Sequence, residues 1–302
     1  MAADGERIEQ IFAATSSAVT ESDTNSVFRL GGDLPVNRLG FGAMRITGEG
    51  IWGWPPDRDN ARKVLRRAVE LGVDLIDTAD AYGPETSELL IAEALHPYPK
   101  DLVIATKGGL TRPGPGQWVP NGCPEYLTQC VEKSLKRLQL ERIDLYQLHR
   151  VDPKVPMEES LGALKKMQEA GKIRHVGLSE VSPEEIDRAR KVLPIVSTQN
   201  QYNISNRRWE KTLTYCEKQG LGFMPWSPIG GNRGLNDNAL EAAARDYYAS
   251  VVQLALAWLL HRSSAMLPIP GTSSVAHLEE NMAAAKLKLT AEHWKRVDAA
   301  AS

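Results

Sequence analysis

The sequence predicts an α/β fold, a (β/α)8 TIM barrel whose bottom is closed by an N-terminal β-hairpin. Three observations carry this prediction. From Val27 onward, a short apolar or β-branched run, a polar loop and an amphipathic segment recur at the interval expected of one strand plus one helix. Nearly every run ends in a group able to bind or react: Asp77, Lys107, His149, Ser179, Gln199, Trp226-Ser227 and Gly271-Thr272. A closed barrel gathers all its strand ends into one mouth, whereas an open doubly wound sheet would spread them along a line. Third, no linker interrupts residues 27–290.

The elements follow in order. VFRLGGDLPVNRLGFG is a hairpin turning at Gly31-Gly32-Asp33, because two glycines supply positive φ between alternating runs. The barrel runs are RLGFGAM, VDLIDTAD, LVIATKGG, IDLYQLHR, IRHVGLSE, IVSTQNQYN, LGFMPWSP and MLPIPGTS. Between them, apolar residues spaced near 3.6 predict helices over Asn60–Leu71 (Val64, Leu65, Ala68, Val69 inward), Glu125–Leu138, Met157–Ala170, Pro183–Val192 and Arg207–Gln219. Ser182-Pro183-Glu184-Glu185 starts one of them with a capping serine, a proline in the first turn and acids facing the helix dipole. Residues 1–26 are rich in Ser, Thr, Ala and acids, with Arg7 the one base. They read as a mobile leader, with a short helix over Arg7–Ala14 as the alternative, and lack the features of a secretory or transit peptide. Residues 27–302 then form a single domain.

Composition narrows the function. With 42% hydrophobic residues, 25% charged residues and a net charge of -2, the chain has no basic surplus for nucleic acid or an anionic membrane. Its longest apolar run, Leu254–Leu260, is too short to span a bilayer. Cys123, Cys130 and Cys216 are odd in number and lack C-x-x-C spacing, as expected of thiols in the reducing cytoplasm. No P-loop, H-E-x-x-H or EF-hand pattern occurs, and no metal is expected. Gly40-Phe41-Gly42 starts like a Rossmann fingerprint but lacks both the third small residue and a following helix.

Asp77, Tyr82, Lys107 and His149 come from the second, third and fourth runs. Singly, each has an ordinary structural reading as a strand cap, a loop aromatic, a buried cation or a core histidine. Together they suggest proton donation to a carbonyl oxygen. A tyrosine is a poor acid, with a free pKa of about 10, and a lysine cation beside it favours the phenolate. Asp77 would hold Lys107 charged, and His149 would donate a hydrogen bond to the carbonyl. The hydride has no side-chain source, so a nicotinamide must supply it.

GVDLIDTADAYG, VIATKGG, DLYQLHR, HVGLSEV, PWSPIGG and IPGTSSVAHLEENMAAA resemble, in this order and over residues 28–290, the motifs of the aldo-keto reductase family. The resemblance implies a catalytic tetrad of Asp77, Tyr82, Lys107 and His149. It implies that Gly42, Ala43 and Met44 meet the nicotinamide end of the cofactor, Ser179 and Gln199 its carboxamide, and Trp226 the face of its ring. Ser227, Pro228 and Ile229 would run beside the pyrophosphate. Gly271, Thr272, Ser273, Ser274 and His277 would meet the adenosine phosphate, and Glu280 and Asn281 the adenine. Two departures stand out. Glu180 occupies the place of the family's usual Asn, and Ser273, Ser274 and His277 replace the Arg or Lys that grips a 2'-phosphate. NADPH is the expected cofactor, with NADH use also expected.

Two long loops carry Ile51, Trp52 and Trp54, and Arg112 and Trp118. As loops at a barrel mouth, they are expected to wall a pocket for a flat carbonyl substrate with Trp52, Trp54 and Trp118. RITGEGIWGWPPDR and EALHPYPKDL are similar to a bacterial branch associated with pyridoxal reduction. Pyridoxal would therefore be reduced to pyridoxine, with Arg45, Arg112 or Arg150 on its polar substituents. Two other readings are a lysine Schiff-base lyase, which needs a neutral Lys107, and a cofactor-binding redox-sensing subunit with little turnover.

Overall fold

The computed structural model describes residues 27–230 and 238–300. The expected leader over residues 1–26 and the alternative helix at Arg7–Ala14 lie outside the described residues. Strands β1 (Val27–Leu30) and β2 (Leu34–Asn37) pair antiparallel around the predicted turn. Gly31 has φ 63°, and a Cβ there would strike the His175 ring, so glycine is required both for conformation and for space. Asp33 in the same turn accepts from Arg174 at 2.9 Å and pairs with His175 at 2.7 Å, fastening the hairpin to the barrel.

The barrel strands are β3 (Phe41–Gly42), β4 (Leu75–Asp77), β5 (Val103–Gly108), β8 (Ile143–Leu148), β9 (Ile173–Ser179), β10 (Ile195–Gln199) and β11 (Gly222–Phe223). They are parallel neighbours in chain order. The remaining two described strands, β6 (Leu110–Thr111) and β7 (Val119–Pro120), form a small hairpin above the mouth. Closure uses the eighth predicted run, MLPIPGTS. On one side Leu267 N–H donates to Phe223 O at 2.8 Å, and on the other Gly40 and Gly42 N–H donate to Pro268 O (2.9 Å) and Pro270 O (3.2 Å). Proline has no N–H to return, so half of this ladder cannot form and the run is not a regular strand. Leu30, Leu34 and Val36 of the hairpin pack against Leu75, Val103, Leu145, Val196, Met224 and Leu267, plugging the barrel at its N-terminal end. The predicted (β/α)8 barrel with its N-terminal hairpin is the fold observed.

The helices are α1 (Arg58–Glu70), α2 (Thr86–Leu95), α3 (Pro124–Leu138), α4 (Met157–Glu169), α5 (Pro183–Arg190), α6 (Glu210–Gln219), α7 (Asn238–Asp246), α8 (Val251–Arg262), α9 (Val275–Ala283) and α10 (Ala291–Ala300). Val64, Leu65 and Ala68 are buried on α1 as their spacing predicts. Ser182 caps α5 and closes a capping box with Glu185, at 3.3 Å and 2.8 Å. Helix α6 begins at Glu210, not at the predicted Arg207. Asn203 and Asn206 bond the backbone of Ser205 and Arg208, giving that segment a turn in place of a first helical turn. Among the described residues, no helix is long and apolar enough to cross a membrane.

Candidate active site

Asp77 ends β4, Lys107 lies near the end of β5, His149 follows β8, and Tyr82 sits on the loop after β4. The parallel register brings their side chains to the same end of the barrel. All four are buried. The Lys107 ammonium has three protons and three acceptors: Asp77 Oδ2 at 2.7 Å, Thr78 O at 2.7 Å and Tyr82 Oη at 3.2 Å. The other Asp77 oxygen accepts from Gln199 Nε2 at 2.8 Å and Gln147 Nε2 at 3.1 Å. Neither buried charge is left unsatisfied, the condition for keeping an ion pair in a barrel interior.

Burial opposes the charge on Lys107, but the Asp77 carboxylate and the tyrosine outweigh it and hold the ammonium pKa above its ordinary value. Burial also raises the Tyr82 pKa, and the pull of Lys107 offsets this only in part. The sequence suggested a net lowering; the desolvation of a phenol at the barrel mouth is the larger effect. Tyr82 therefore rests as a protonated donor with a cation aimed at its oxygen. Burial, and after it Lys107, Arg150 and Arg112, push the His149 pKa well below the ordinary histidine value. The imidazole is neutral, its Nδ1 has no partner among the described residues, and its ring centre lies 5.8 Å from that of Tyr82.

A cavity of about 1220 Å³ opens over this group. Tyr82, His149, Trp118, Ile51 and Leu110 wall one end, and Thr272, His277, Glu280 and Asn281 the other. Gly42, Met44, Gln199, Trp226, Ser227, Pro228, Ile229 and Gly271 lie between. A Cβ on Gly271 would meet the Gly42 carbonyl, so the two glycines let β3 and the closing run approach there. Four residues expected at the cofactor do not line the cavity: Ala43 and Ser179 are fully covered, and Ser273 and Ser274 lie outside its wall. Ser274 instead caps α9, accepting from His277 N–H at 3.4 Å.

Of the three predicted pocket tryptophans, Trp118 lines the cavity. Trp54 is 43% exposed and lies under the Arg58 guanidinium at 3.9 Å, and Trp52, bridged through its backbone to Gly83, does not line the cavity. Arg112 stacks on Trp118 at 3.6 Å and donates to Ala81 O at 2.7 Å, which bolts the loop down. Arg45 and Arg150 line the cavity. Sequence reasoning missed Gln147, whose amide holds Asp77, and Glu241, Ser250, Val251 and Val252, which close the wall near the distal end. The readable signal was Ser250-x-x-Gln253, a capping box that starts α8.

Asp80, two residues before Tyr82, is buried, its Oδ1 has no partner among the described residues, and it lines a separate cavity of 170 Å³. Burial, with Glu88 adding to it, pushes its carboxyl up from 3.8 to about 7. Folding then holds a proton that the unfolded chain has released, so this group's contribution to stability is full below pH 3.8 and is lost as pH rises to about 7. Urea unfolding across this range should show Asp80→Asn gaining on the wild type by about 2–4 kcal/mol between pH 4 and 7.5. Parallel curves for the two proteins would refute the assignment.

Comparison with known proteins agrees with this geometry. The model of the Aldo/keto reductase family matches residues 38–302. The chain is 50% identical over 286 residues to an uncharacterized oxidoreductase of Schizosaccharomyces pombe, covering 94% of this chain and 92% of that one. It is 43% identical over 281 residues to pyridoxine 4-dehydrogenase of Escherichia coli, covering 91% and 98%. In structure it is similar to the glycerol dehydrogenase of Gluconobacter oxydans, with a TM-score of 0.81, 30% identity, and 91% and 95% of the two chains covered.

Proposed function

This chain belongs to the aldo/keto reductase family, and from that premise we propose that it reduces an aldehyde to an alcohol with NADPH, with pyridoxal converted to pyridoxine. The observation that carries the reading is the Lys107 ammonium shared between Asp77 and Tyr82 in the cavity wall, with a neutral His149 beside it. Residues 27–302 are taken as one barrel domain working in the cytoplasm.

The cavity fits a dinucleotide together with a substrate. It exceeds the volume of ordinary single-ligand pockets, about 300–1,000 Å³, and runs from the tetrad to the start of α9. Trp226 would hold the nicotinamide face, the Ser227–Ile229 segment the pyrophosphate, and Gly271, Thr272 and His277 the adenosine phosphate. Bound there, the nicotinamide supplies the hydride. The rest is done by this chain. His149 donates one N–H to the substrate carbonyl oxygen, and Tyr82 Oη passes its proton to the same oxygen as negative charge develops. Lys107 favours the phenolate left behind, and Asp77 keeps Lys107 charged. A Schiff-base role for Lys107 is disfavoured, since an amine held charged by three acceptors is a poor nucleophile.

Ile51, Leu110, Trp118 and Pro120 offer apolar walls, and Arg45 and Arg150 bring polar heads for ring substituents, Arg150 with its Nη1 already donating to His149 O at 2.6 Å and to Ser179 Oγ at 2.8 Å. Arg112 is occupied by Trp118 and backbone carbonyls. Residues 271–277 contain no Lys or Arg, and among the described residues His277 and two carboxylates, Glu241 and Glu280, line the cavity there. Steady-state assays should give a kcat/KM for pyridoxal at least about tenfold above that for benzaldehyde. The preference for NADPH over NADH should be under about tenfold, because residues 271–277 offer no Lys or Arg as a bidentate clamp on the 2'-phosphate. Equal turnover of the two aldehydes would remove the pyridoxal assignment.

A further inference from the structure

Glu180 stands one residue beyond β9 with φ 56°, a left-handed conformation that a glutamate adopts at a cost. What that conformation achieves is visible in its partners. Its backbone N–H donates to Gln199 O at 3.1 Å, tying it to the end of β10. Its Oε1 accepts from the Trp226 indole Nε1–H at 2.8 Å and from the Gln201 backbone N–H at 2.6 Å. Its Oε2 accepts from Arg208 Nη2 at 2.9 Å. The carboxylate thus spans three successive strand ends, with three of its about four acceptor positions taken.

Trp226 lines that cavity, on the segment after β11. Its backbone is fixed by Trp226 N–H to Asn200 O at 3.2 Å and Tyr202 N–H to Trp226 O at 3.4 Å. The backbone bonds leave the indole's own torsions free. An indole has one hydrogen-bond donor, and here it is spent on a carboxylate, the stronger kind of acceptor. Arg208 is exposed, so the ion pair on the far side of Glu180 adds orientation more than charge burial.

We propose that Glu180 is a positioning residue that fixes the plane of the Trp226 indole as the platform on which the nicotinamide ring stacks. The inference rests on the reductase reading above, because it needs a flat ring to stack. A stacked pair depends on ring offset and tilt, so a platform whose tilt is fixed before binding loses less freedom on binding.

The test is a double-mutant cycle on cofactor affinity, measured calorimetrically with NADPH on the full chain, with Glu180→Ala, Glu180→Gln, Trp226→Phe and the pair Glu180→Ala/Trp226→Phe. Glu180→Ala should weaken NADPH binding about fivefold, the weight of one hydrogen bond of ordinary strength, and Glu180→Gln, which keeps an acceptor, less than about twofold. In the Trp226→Phe background, where no N–H remains to hold, Glu180→Ala should add no further loss. Without cofactor, the near-ultraviolet circular dichroism of Trp226, taken as wild type minus Trp226→Phe, should collapse in Glu180→Ala and survive in Glu180→Gln. Additive losses in the cycle, or an unchanged Trp226 signal in Glu180→Ala, would overturn the proposal while leaving the reductase reading intact. A wild type that binds no NADPH would sink the reductase reading and this inference with it.

Discussion

Tyr82→Phe is expected to lower kcat for aldehyde reduction by about 10²–10⁴-fold, the usual weight of one positioned general acid. The dissociation constant for NADPH should stay within about twofold, because the phenol oxygen's hydrogen-bond partner among the described residues is Lys107 Nζ, an internal group. The variant leaves the ring where it packs, against Trp118 at 6.3 Å and His149 at 5.8 Å between ring centres. It also leaves Lys107 with Asp77 and Thr78 O, so the ammonium keeps its strongest partners. The loss should thus appear in kcat without a fall in stability. Because burial raises the Tyr82 pKa, the donor stays protonated through neutral and moderately alkaline pH, and wild-type reduction should show no titration from Tyr82 below its ordinary value of about 10. A steady-state pH series on both proteins checks these points together.

Lys107→Met has a different signature, in which stability falls along with activity. Removing the ammonium leaves the buried Asp77 carboxylate with two glutamine amides and no counter-charge. Breaking one side of a buried pair costs about 3–5 kcal/mol, and urea unfolding should report a loss of that order near pH 7. Activity should fall at least about 10²-fold, because the phenolate left by proton donation loses its partner. A Lys107→Met protein as stable as the wild type would mean that Asp77 is not held as an anion by Lys107.

The parts of this molecule that sequence periodicity exposed are those with one wet and one dry face. Helix α1 shows this, with Val64, Leu65 and Ala68 inward. Helix α2 was missed because nearly all of it is covered: Thr86, Ser87 and Glu88 are buried along with Leu90, Ile91 and Ala92. Glu88 is accommodated there by Arg137 at 2.6 Å and Thr106 at 2.6 Å, long-range partners that no local pattern reveals. Helix α8 was hidden in the same way, since Leu254 to Leu259 are all buried and read as a plain apolar run. The eighth strand was legible by position, and its two prolines explain why its ladder is half formed.

At the site, residue type and order pointed to Asp77, Tyr82, Lys107 and His149, and the barrel brings the four together. Sequence could not weigh burial against charge at Tyr82, where the outcome depends on how much water the fold removes. Nor could it assign Glu180 and Gln147 their partners, which lie 46 and 70 residues away along the chain. The tryptophans were read as one group, but loop conformation separates them. Trp118 faces the cavity, whereas Trp54 lies beneath Arg58 on the surface.

The central claim is that this barrel carries out carbonyl reduction with a bound nicotinamide, and a single-turnover experiment tests it most directly. Protein preloaded with one equivalent of NADPH is mixed with excess pyridoxal, and the alcohol formed is counted against the cofactor consumed. The account predicts about one pyridoxine per NADPH in the wild type and a rate lower by at least about 10² in Tyr82→Phe. NADPH that stays bound and unconsumed, with no alcohol formed, would contradict it.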